Sequence, residues 1–192
     1  MSAPSIRTRR WNRVEYEQLV EKGFFQPGER LELVDGELLV REPQGSRHAT
    51  GIMLVEQALR SAFGPGWLVR VQMPVALDDT SEPEPDVSVV HGSPRQYRDA
   101  HPERPVLVVE VAEASLAFDR GQKASLYARA GISDFWIVNL VEGVLVVCRE
   151  PGRSADAVSG WGYQSIQVLG PAESVSPLAA PAARILAADL LP

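Results

Sequence analysis

"PVLVVEVAEAS", residues 105–115, decides how the rest of the chain is read. From Val106 to Val111 the run is apolar at every position but Glu110. A strand without polar alternation is one covered on both faces, hence central in its sheet. A carboxylate in the middle of it is costly unless a partner or a metal holds it. Twenty-four positions upstream of Glu110, "SEPEPDVSVV" (81–90) sets Asp86 at the mouth of a second β-like run. Pro83 and Pro85 suit the start of a strand and fix the direction in which Asp86 enters it. Asp86 alone reads as a turn aspartate, and Glu110 alone as half of an ion pair with an arginine. Taken together they read differently: two carboxylates on adjacent strands, followed by the backbone carbonyl of Val111, make an all-oxygen site suited to Mg2+ or Mn2+ rather than zinc.

Downstream of the central run, "DRGQKASLYARAG" (119–131) predicts a helix closed by Gly131, and "FWIVNLVEGVLVVCRE" (135–150) a hairpin turning near Glu142-Gly143. Asp119, Lys123 and Tyr127 fall at i, i+4, i+8 and share one helical face. Lys123 is either half of a surface Asp–Lys pair or a positioned ammonium. The chain has seventeen arginines and two lysines, Lys22 and Lys123, which favours a specific use of the compact charge that a guanidinium does not supply. Upstream, "WLVRVQMPVAL" (67–77) predicts one long strand and "RHATGIMLVEQALRSAF" (47–63) an amphipathic helix of about four turns, apolar at 52, 55, 59 and 63. "RLELVDGELLV" (30–40) is a hairpin about Asp35-Gly36, and "WNRVEYEQLVEKG" (11–23) a short helix capped by Asn12. Beyond Glu150 the pattern weakens into a tail rich in Pro, Ala and Ser.

At 192 residues and 45% hydrophobic content, the chain can bury one substantial core, which predicts a single α/β domain over 12–192 behind a flexible basic arm, 1–11. The net charge of -6 argues against a protein that coats nucleic acid, though not against a local catalytic site. Cys148, the sole cysteine, excludes an internal disulfide and a Cys-based zinc cluster. No run approaches the roughly 18 apolar residues of a membrane span, and "MSAPSIRTRRW" lacks a signal peptide's apolar stretch, so the expectation is a soluble, cytoplasmic protein without membrane contact.

The series "LELVDGELL", "EPDVSVV" and "VLVVEVAEASLAFDRGQKASLYARAGISDFWIVNL" resembles the Uma family of putative restriction endonucleases in the PD-(D/E)xK nuclease superfamily. The likeness is close over residues 12–150 and looser to about 190. It implies a restriction-endonuclease-like α/β fold, a mixed central sheet flanked by helices with an N-terminal β-hairpin. It also implies a Mg2+-dependent endonuclease hydrolysing DNA phosphodiester bonds, with Mn2+ as a substitute and a homodimer as the working unit. Pro85-Asp86 matches the PD, Glu110 the second acidic residue, and Lys123 the lysine. Ala112 stands where the superfamily's basic pattern has its lysine, and the family pattern moves that lysine to the next helix. Glu37, just past the Asp35-Gly36 turn, matches a family position and is a further candidate for metal or water, with Glu32 a weaker one. His48 also matches a recurrent position. Asn139 replaces a frequent Asp and reads as structural.

Arg95, Arg98, Arg104 and the arm residues Arg7, Arg9 and Arg10 are candidate phosphate contacts. Trp67, Trp136 and Trp161 lie on apolar strand patterns and read as core. His91 and His101 lack ligand spacing, and no G-x-S-x-G elbow, Walker loop or dinucleotide fingerprint occurs. Two other classes stand beside the DNA endonuclease: a non-catalytic binding or dimerisation module on the same scaffold, and a metal-dependent nuclease acting on RNA.

Overall fold

The computed structural model describes residues 8–192. In chain order the elements are α1 (Arg13–Glu21), β1 (Leu31–Val34), β2 (Glu37–Val40), α2 (Ser46–Phe63), β3 (Trp67–Val71), β4 (Val87–His91) and β5 (Leu107–Ala112). There follow α3 (Leu116–Phe118), a π-helical turn over Asp119–Lys123, α4 (Ala124–Arg129), β6 (Asp134–Asn139), β7 (Val144–Arg153), β8 (Trp161–Leu169), β9 (Ser174–Val175) and β10 (Ile185–Leu186). Six strands form one sheet in the order β3-β4-β5-β6-β7-β8, antiparallel except for the parallel pair β5–β6. That one parallel pair follows from the connection between its strands: the helical segment 116–129 carries the chain back across the sheet, as parallel neighbours require.

The apolar run of β5 is buried at all six positions, third from one edge of the sheet. Val109 and Val111 face α2, whose Ile52, Val55, Leu59 and Phe63 pack on that side with Val175, Ile185 and Leu190 from the C-terminal segment. Val108 and Ala112 face the other way, toward Tyr127 and Ile132 beside α4. Each fully buried Val or Leu contributes about 1.5–3 kcal/mol, so the double cover explains why so little polar alternation is tolerated in β5.

Local signals act as their chemistry dictates. Asn12 and Glu15 form a reciprocal capping box on α1. Asp35 (φ 50) and Gly36 (φ 80) take the left-handed conformations of a two-residue hairpin turn, pairing Val34 with Glu37. α2 has 18 residues, about five turns rather than four. Trp136 is fully buried, whereas Trp67 and Trp161 are half-buried. Asn139 is structural, its Oδ1 accepting from Val141 N and Glu142 N in the β6–β7 turn.

Three expectations need correcting. The long strand 67–77 ends at Val71, because Gln72 adopts φ 50 and turns the chain out of the ladder. The segment beyond Glu150 is not a featureless tail: β7 continues to Arg153 and β8 adds nine residues, while Leu190 is fully buried. β8 carries little signal in the sequence because its side chains are largely exposed, so burial imposes no alternation on them. Residues 1–7 of the expected arm, Arg7 included, lie outside the described residues. From Arg9 the chain is docked: Arg9 pairs with Glu15 and covers the Trp11 ring, and Arg10 donates to the Asp35 carbonyl.

Candidate functional site

The β4–β5 register, Val87 opposite Val109, carries on by one residue to set Asp86 across from Glu110 on the same face. The backbone N–H of Asp86 points to Glu110 Oε2 at 3.3 Å. Val111 donates its N–H to Asp86 Oδ2 at 2.9 Å. Because the N–H and C=O of a strand residue leave by the same edge, the Val111 carbonyl also faces the Asp86 side. Lys123 reaches in from the π-helical turn, its Nζ 2.9 Å from Glu110 Oε1 and 3.3 Å from Glu32 Oε2. Tyr127, one turn further on, donates its hydroxyl to the same Glu110 Oε1 at 2.6 Å. A π-helical turn widens the helix and changes the phase of the next turn; here Asp119, Lys123 and Tyr127 are all buried toward the cluster.

Asp86 is held from four directions. Oδ1 accepts from Arg41 Nη2 (2.9 Å) and Gln72 Nε2 (3.3 Å), and Oδ2 from Val111 N and lies 3.0 Å from His48 Nε2. Gln72, the residue that breaks β3 with its positive φ, thus turns its side chain to the cluster, as strained backbone at functional sites often does. Arg41 follows β2 and also donates to the Glu84 carbonyl. The hairpin is fixed here by the Leu33–Glu82 bridge and by Glu84 N donating to Glu32 Oε2 at 3.0 Å. The alternating acids and prolines of "EPEPD" therefore serve as a rail between hairpin and sheet.

These groups line a cavity of about 530 Å³ bounded also by Gly45, Glu113, Ser115 and Phe118. The N-terminus of α2 opens beside it, with Gly45 as an N-cap without side-chain bond and no acidic residue in the first turn, leaving free N–H groups and a positive dipole end there.

The cluster's electrostatics follow from crowding. Burial works against ionised Asp86, yet the His48 hydrogen bond and the Arg41 charge outweigh it and hold the carboxyl down at about 2. Burial raises Glu110 to about 7, Lys123 opposing and Asp86 and Asp119 adding to the rise. Burial also raises Asp119 to about 6. Lys123 is disfavoured by burial but sees Glu110, Glu32 and Asp119 together, so its ammonium is held above its ordinary range. In the Lys123–Glu110 pair the lysine keeps its charge and the glutamate is the softer partner. The His48 imidazolium is favoured by its hydrogen bond to Asp86.

Asp86, Glu110 and Lys123, predicted as a set, are brought together, and Val111 lies beside them. Glu37 is not. It is exposed and pairs with Arg10 at 3.5 Å, outside the cavity lining, because its position puts it at the far end of the hairpin from Arg41. Glu32, the weaker candidate, occupies the place instead. Arg98 pairs with exposed Asp99. Arg41 and Gln72 are silent in the sequence, since neither their spacing nor their neighbours signal a reach that depends on how hairpin and β3 dock.

Among the described residues, no group of three or more His, Cys, Asp and Glu side chains is placed to hold a metal ion, and both oxygens of Asp86 already accept hydrogen bonds. The donor set nonetheless suits a hard divalent cation: its ligand atoms are oxygens, and four buried carboxyl groups (Glu32, Asp86, Glu110, Asp119) face two fixed cations, Arg41 and Lys123, and one histidine.

No curated protein matches this chain. Among solved structures, a putative nuclease belonging to DUF820 from Anabaena variabilis has a TM-score of 0.63 at 17% identity, over 84% of this chain and 89% of that one. The likeness is one of fold, which in this chain is a restriction-endonuclease-like α/β arrangement: a mixed six-stranded sheet between helices with an N-terminal hairpin. The family model Uma2, described as "Putative restriction endonuclease", matches residues 13–188, a span that takes in the hairpin, the cavity and the C-terminal segment. On that match the chain belongs to the Uma2 family of putative restriction endonucleases.

Proposed function

We propose that the protein is a divalent-metal-dependent endonuclease that hydrolyses DNA phosphodiester bonds at the Asp86–Glu110–Lys123 cavity, with Mg2+ as its metal and Mn2+ as a substitute. The observation that carries this reading is the position of Lys123: its ammonium is buried between two carboxylates yet lines the same cavity as Asp86. Asp86 and Glu110, with the Val111 carbonyl, would hold the cation, which supplies Lewis-acid stabilisation of charge on the phosphate.

The chain's own residues do the rest. Lys123 has three N–H donors, of which Glu110 and Glu32 take two. The third is left to orient the attacking water and offset charge as the water oxygen bonds to phosphorus and the ester P–O bond breaks. Tyr127 fixes Glu110 from the opposite side. Arg41 and His48 balance the charge of Asp86. The free N–H groups at the start of α2 offer a seat for non-bridging phosphate oxygens.

The test is cleavage of supercoiled plasmid, of single-stranded DNA and of single-stranded RNA in Mg2+, Mn2+ or EDTA by the wild type, Asp86→Asn and Lys123→Ala, with Mn2+ binding to each protein titrated alongside. Metal-dependent nicking that both substitutions abolish supports the proposal. Cleavage of RNA alone would move the substrate, and Mn2+ binding through Asp86 without cleavage of either nucleic acid would turn the reading to a binding module.

A further inference from the structure

The walls of the Asp86–Lys123 cavity differ in chemistry from its floor. The floor is ionic, built of Asp86, Glu110 and Lys123, which are 2%, 2% and 3% exposed. Around it stand Leu39 and Val40 at the end of β2, Pro43 in the connection to α2, and Ala114 and Phe118 after β5. Phe118 is the one large ring among them. Leu116, two residues earlier, packs against the core on the α4 face. Phe118 joins neither that core, nor the one under α2, nor the small cluster around Tyr16. Among the described residues it pairs with no other aromatic ring. It is half-buried, with its ring centroid 6.0 Å from Lys123 Nζ. The mouth is poor in free positive charge: Glu42 and Glu113 line it, and Arg47 at the start of α2 stands 3.9 Å from Glu113.

We propose that the cavity takes an unpaired DNA strand, with the base beside the scissile phosphate stacked on the Phe118 ring, and that single strands rather than duplex are the substrate. The inference rests on the nuclease reading above and names the form of its substrate. Reach is the first argument. A duplex is stiff over about 50 nm, and a cavity of about 530 Å³ is of the size that encloses one small organic group. Carboxylates buried on its floor are closed to a phosphate fixed in a duplex, whereas an unpaired strand turns at each phosphate and can lower a single nucleotide to them. The second argument is chemical complement. A duplex shows its partner two rows of phosphate and is held by lysines and arginines that displace its counterions, which neither this mouth nor a net charge of -6 provides. An unpaired strand also shows base faces, which stack on an aromatic side chain whatever the base. Placement is the third: Phe118 stands beside the ammonium assigned to the attacking water, so a base seated on the ring brings its own backbone phosphate to Lys123.

The experiment is Mg2+-dependent cleavage of one end-labelled DNA oligonucleotide, offered as single strand and as blunt duplex, to the full chain and to Phe118→Leu and Phe118→Trp. The wild type should show a kcat/KM for the single strand at least about tenfold that for the duplex. Phe118→Leu keeps the apolar bulk and loses the ring face, so it should raise the single-strand KM about tenfold with kcat and melting temperature unchanged. Phe118→Trp should restore the wild-type KM. Fluorescence anisotropy of the same strands, with Ca2+ in place of Mg2+, reads binding apart from chemistry and should rank the three proteins in the same order. Duplex cleaved as well as single strand, in a reaction that Lys123→Ala abolishes, would overturn the inference and leave the nuclease reading standing. So would a wild-type KM in Phe118→Leu. If no form cleaves either substrate, the nuclease reading fails and anisotropy decides the inference. Binding that favours the single strand and weakens in Phe118→Leu then sustains the stacked strand as occupant; binding indifferent to pairing or to Phe118 overturns it as well.

Discussion

Asp134 and Asp86 both stand at the start of a strand, and both are buried, at 0% and 2% exposure. Both are also fully hydrogen-bonded. Asp134 Oδ1 accepts from Trp136 Nε1 and Arg149 Nε, and Oδ2 from Leu178 N. Asp86 accepts from Arg41, Gln72 and Val111 and meets His48. Burial and satisfaction therefore do not separate a structural carboxylate from a candidate functional one. The surroundings do. Asp134 ties the C-terminal segment to β6 and β7 with one cation and no second carboxylate in contact. Asp86 borders a cavity, beside Glu110 and in a group where carboxyls outnumber fixed cations. A surplus of like charge facing open space is a state that folding alone would not select, and it is what a substrate or cation could relieve.

Lys123→Met should produce the largest combined effect, since it belongs to both sides of that contrast. Removing the ammonium leaves Glu110 and Glu32 buried against each other. The expected outcome is at least a hundredfold loss of metal-dependent cleavage, on the order of the loss of one preorganised electrostatic group, with a stability loss of about 3–5 kcal/mol in urea denaturation. Full cleavage by a folded Lys123→Met protein would sink the proposed role.

The two aspartates should then part company. Asp86→Asn should lose cleavage by about a hundredfold or more and also about 2–3 kcal/mol of stability, since its amide N–H₂ would face the donors on one side or the other, Arg41 and Gln72 or Val111 and His48. Asp134→Asn should keep its cleavage rate per folded molecule and lose about 2–3 kcal/mol, with an amide N–H₂ now facing the donors of Trp136, Arg149 or Leu178. Reversed outcomes would mean that Asp86 and its cavity are structural.

The pH dependence sharpens the contrast from a third carboxyl. Glu82 sits on the rail beneath Asp86, buried, with Oε2 lacking a hydrogen-bond partner and His101 Nε2 3.8 Å from Oε1. Burial first, then Glu17, raises it from 4.5 to about 8. The folded chain thus keeps a proton that the unfolded chain releases, so the Glu82 contribution is full below pH 4.5 and is lost as pH rises through about 8. Asp86 has the opposite sign: lowered from 3.8 to about 2, it stabilises above that ordinary value and its contribution is lost as pH falls through about 2. Glu82→Gln should flatten the decline in urea midpoint between about pH 5 and pH 9, a gain on the order of 1 kcal/mol at the alkaline end. An unchanged slope would show that Glu82 is already ionised in the fold.

The legible parts of the molecule are those where one local rule suffices. The unbroken apolar run of β5, the Asp35-Gly36 turn and the periodicity of α2 each carry their cause in a few adjacent residues. So does the conflict of Glu110 with its strand, which exposes half the site. Arg41, Gln72 and Glu32 are silent or faint in the sequence because their roles arise from docking: the hairpin must lie on the Glu82–Glu84 rail before Arg41 can meet Asp86. β8 is hidden for the opposite reason, since an edge strand open to water has no core to impose a pattern on its side chains.

The smallest expected effect tests the hairpin against itself. Glu32 and Glu37 lie on the two strands of one tight hairpin, yet Glu32 is 4% exposed and bonded to Lys123 and Glu84 N, while Glu37 pairs, among the described residues, with Arg10 alone, at 3.5 Å with both side chains largely in water. An exposed pair of that kind contributes between nothing and about 1 kcal/mol. Glu37→Ala should therefore leave cleavage within about twofold and the urea midpoint within about 0.5 kcal/mol of the wild type. Glu32→Gln keeps the shape but removes one of the charges that hold Lys123, and should lower cleavage about tenfold or more through a loosened ammonium. If Glu37→Ala were the more damaging of the two, the hairpin would have to close over bound nucleic acid in a different register of contacts, with Glu37 swung toward the phosphate path and Glu32 reduced to an anchor for Glu84.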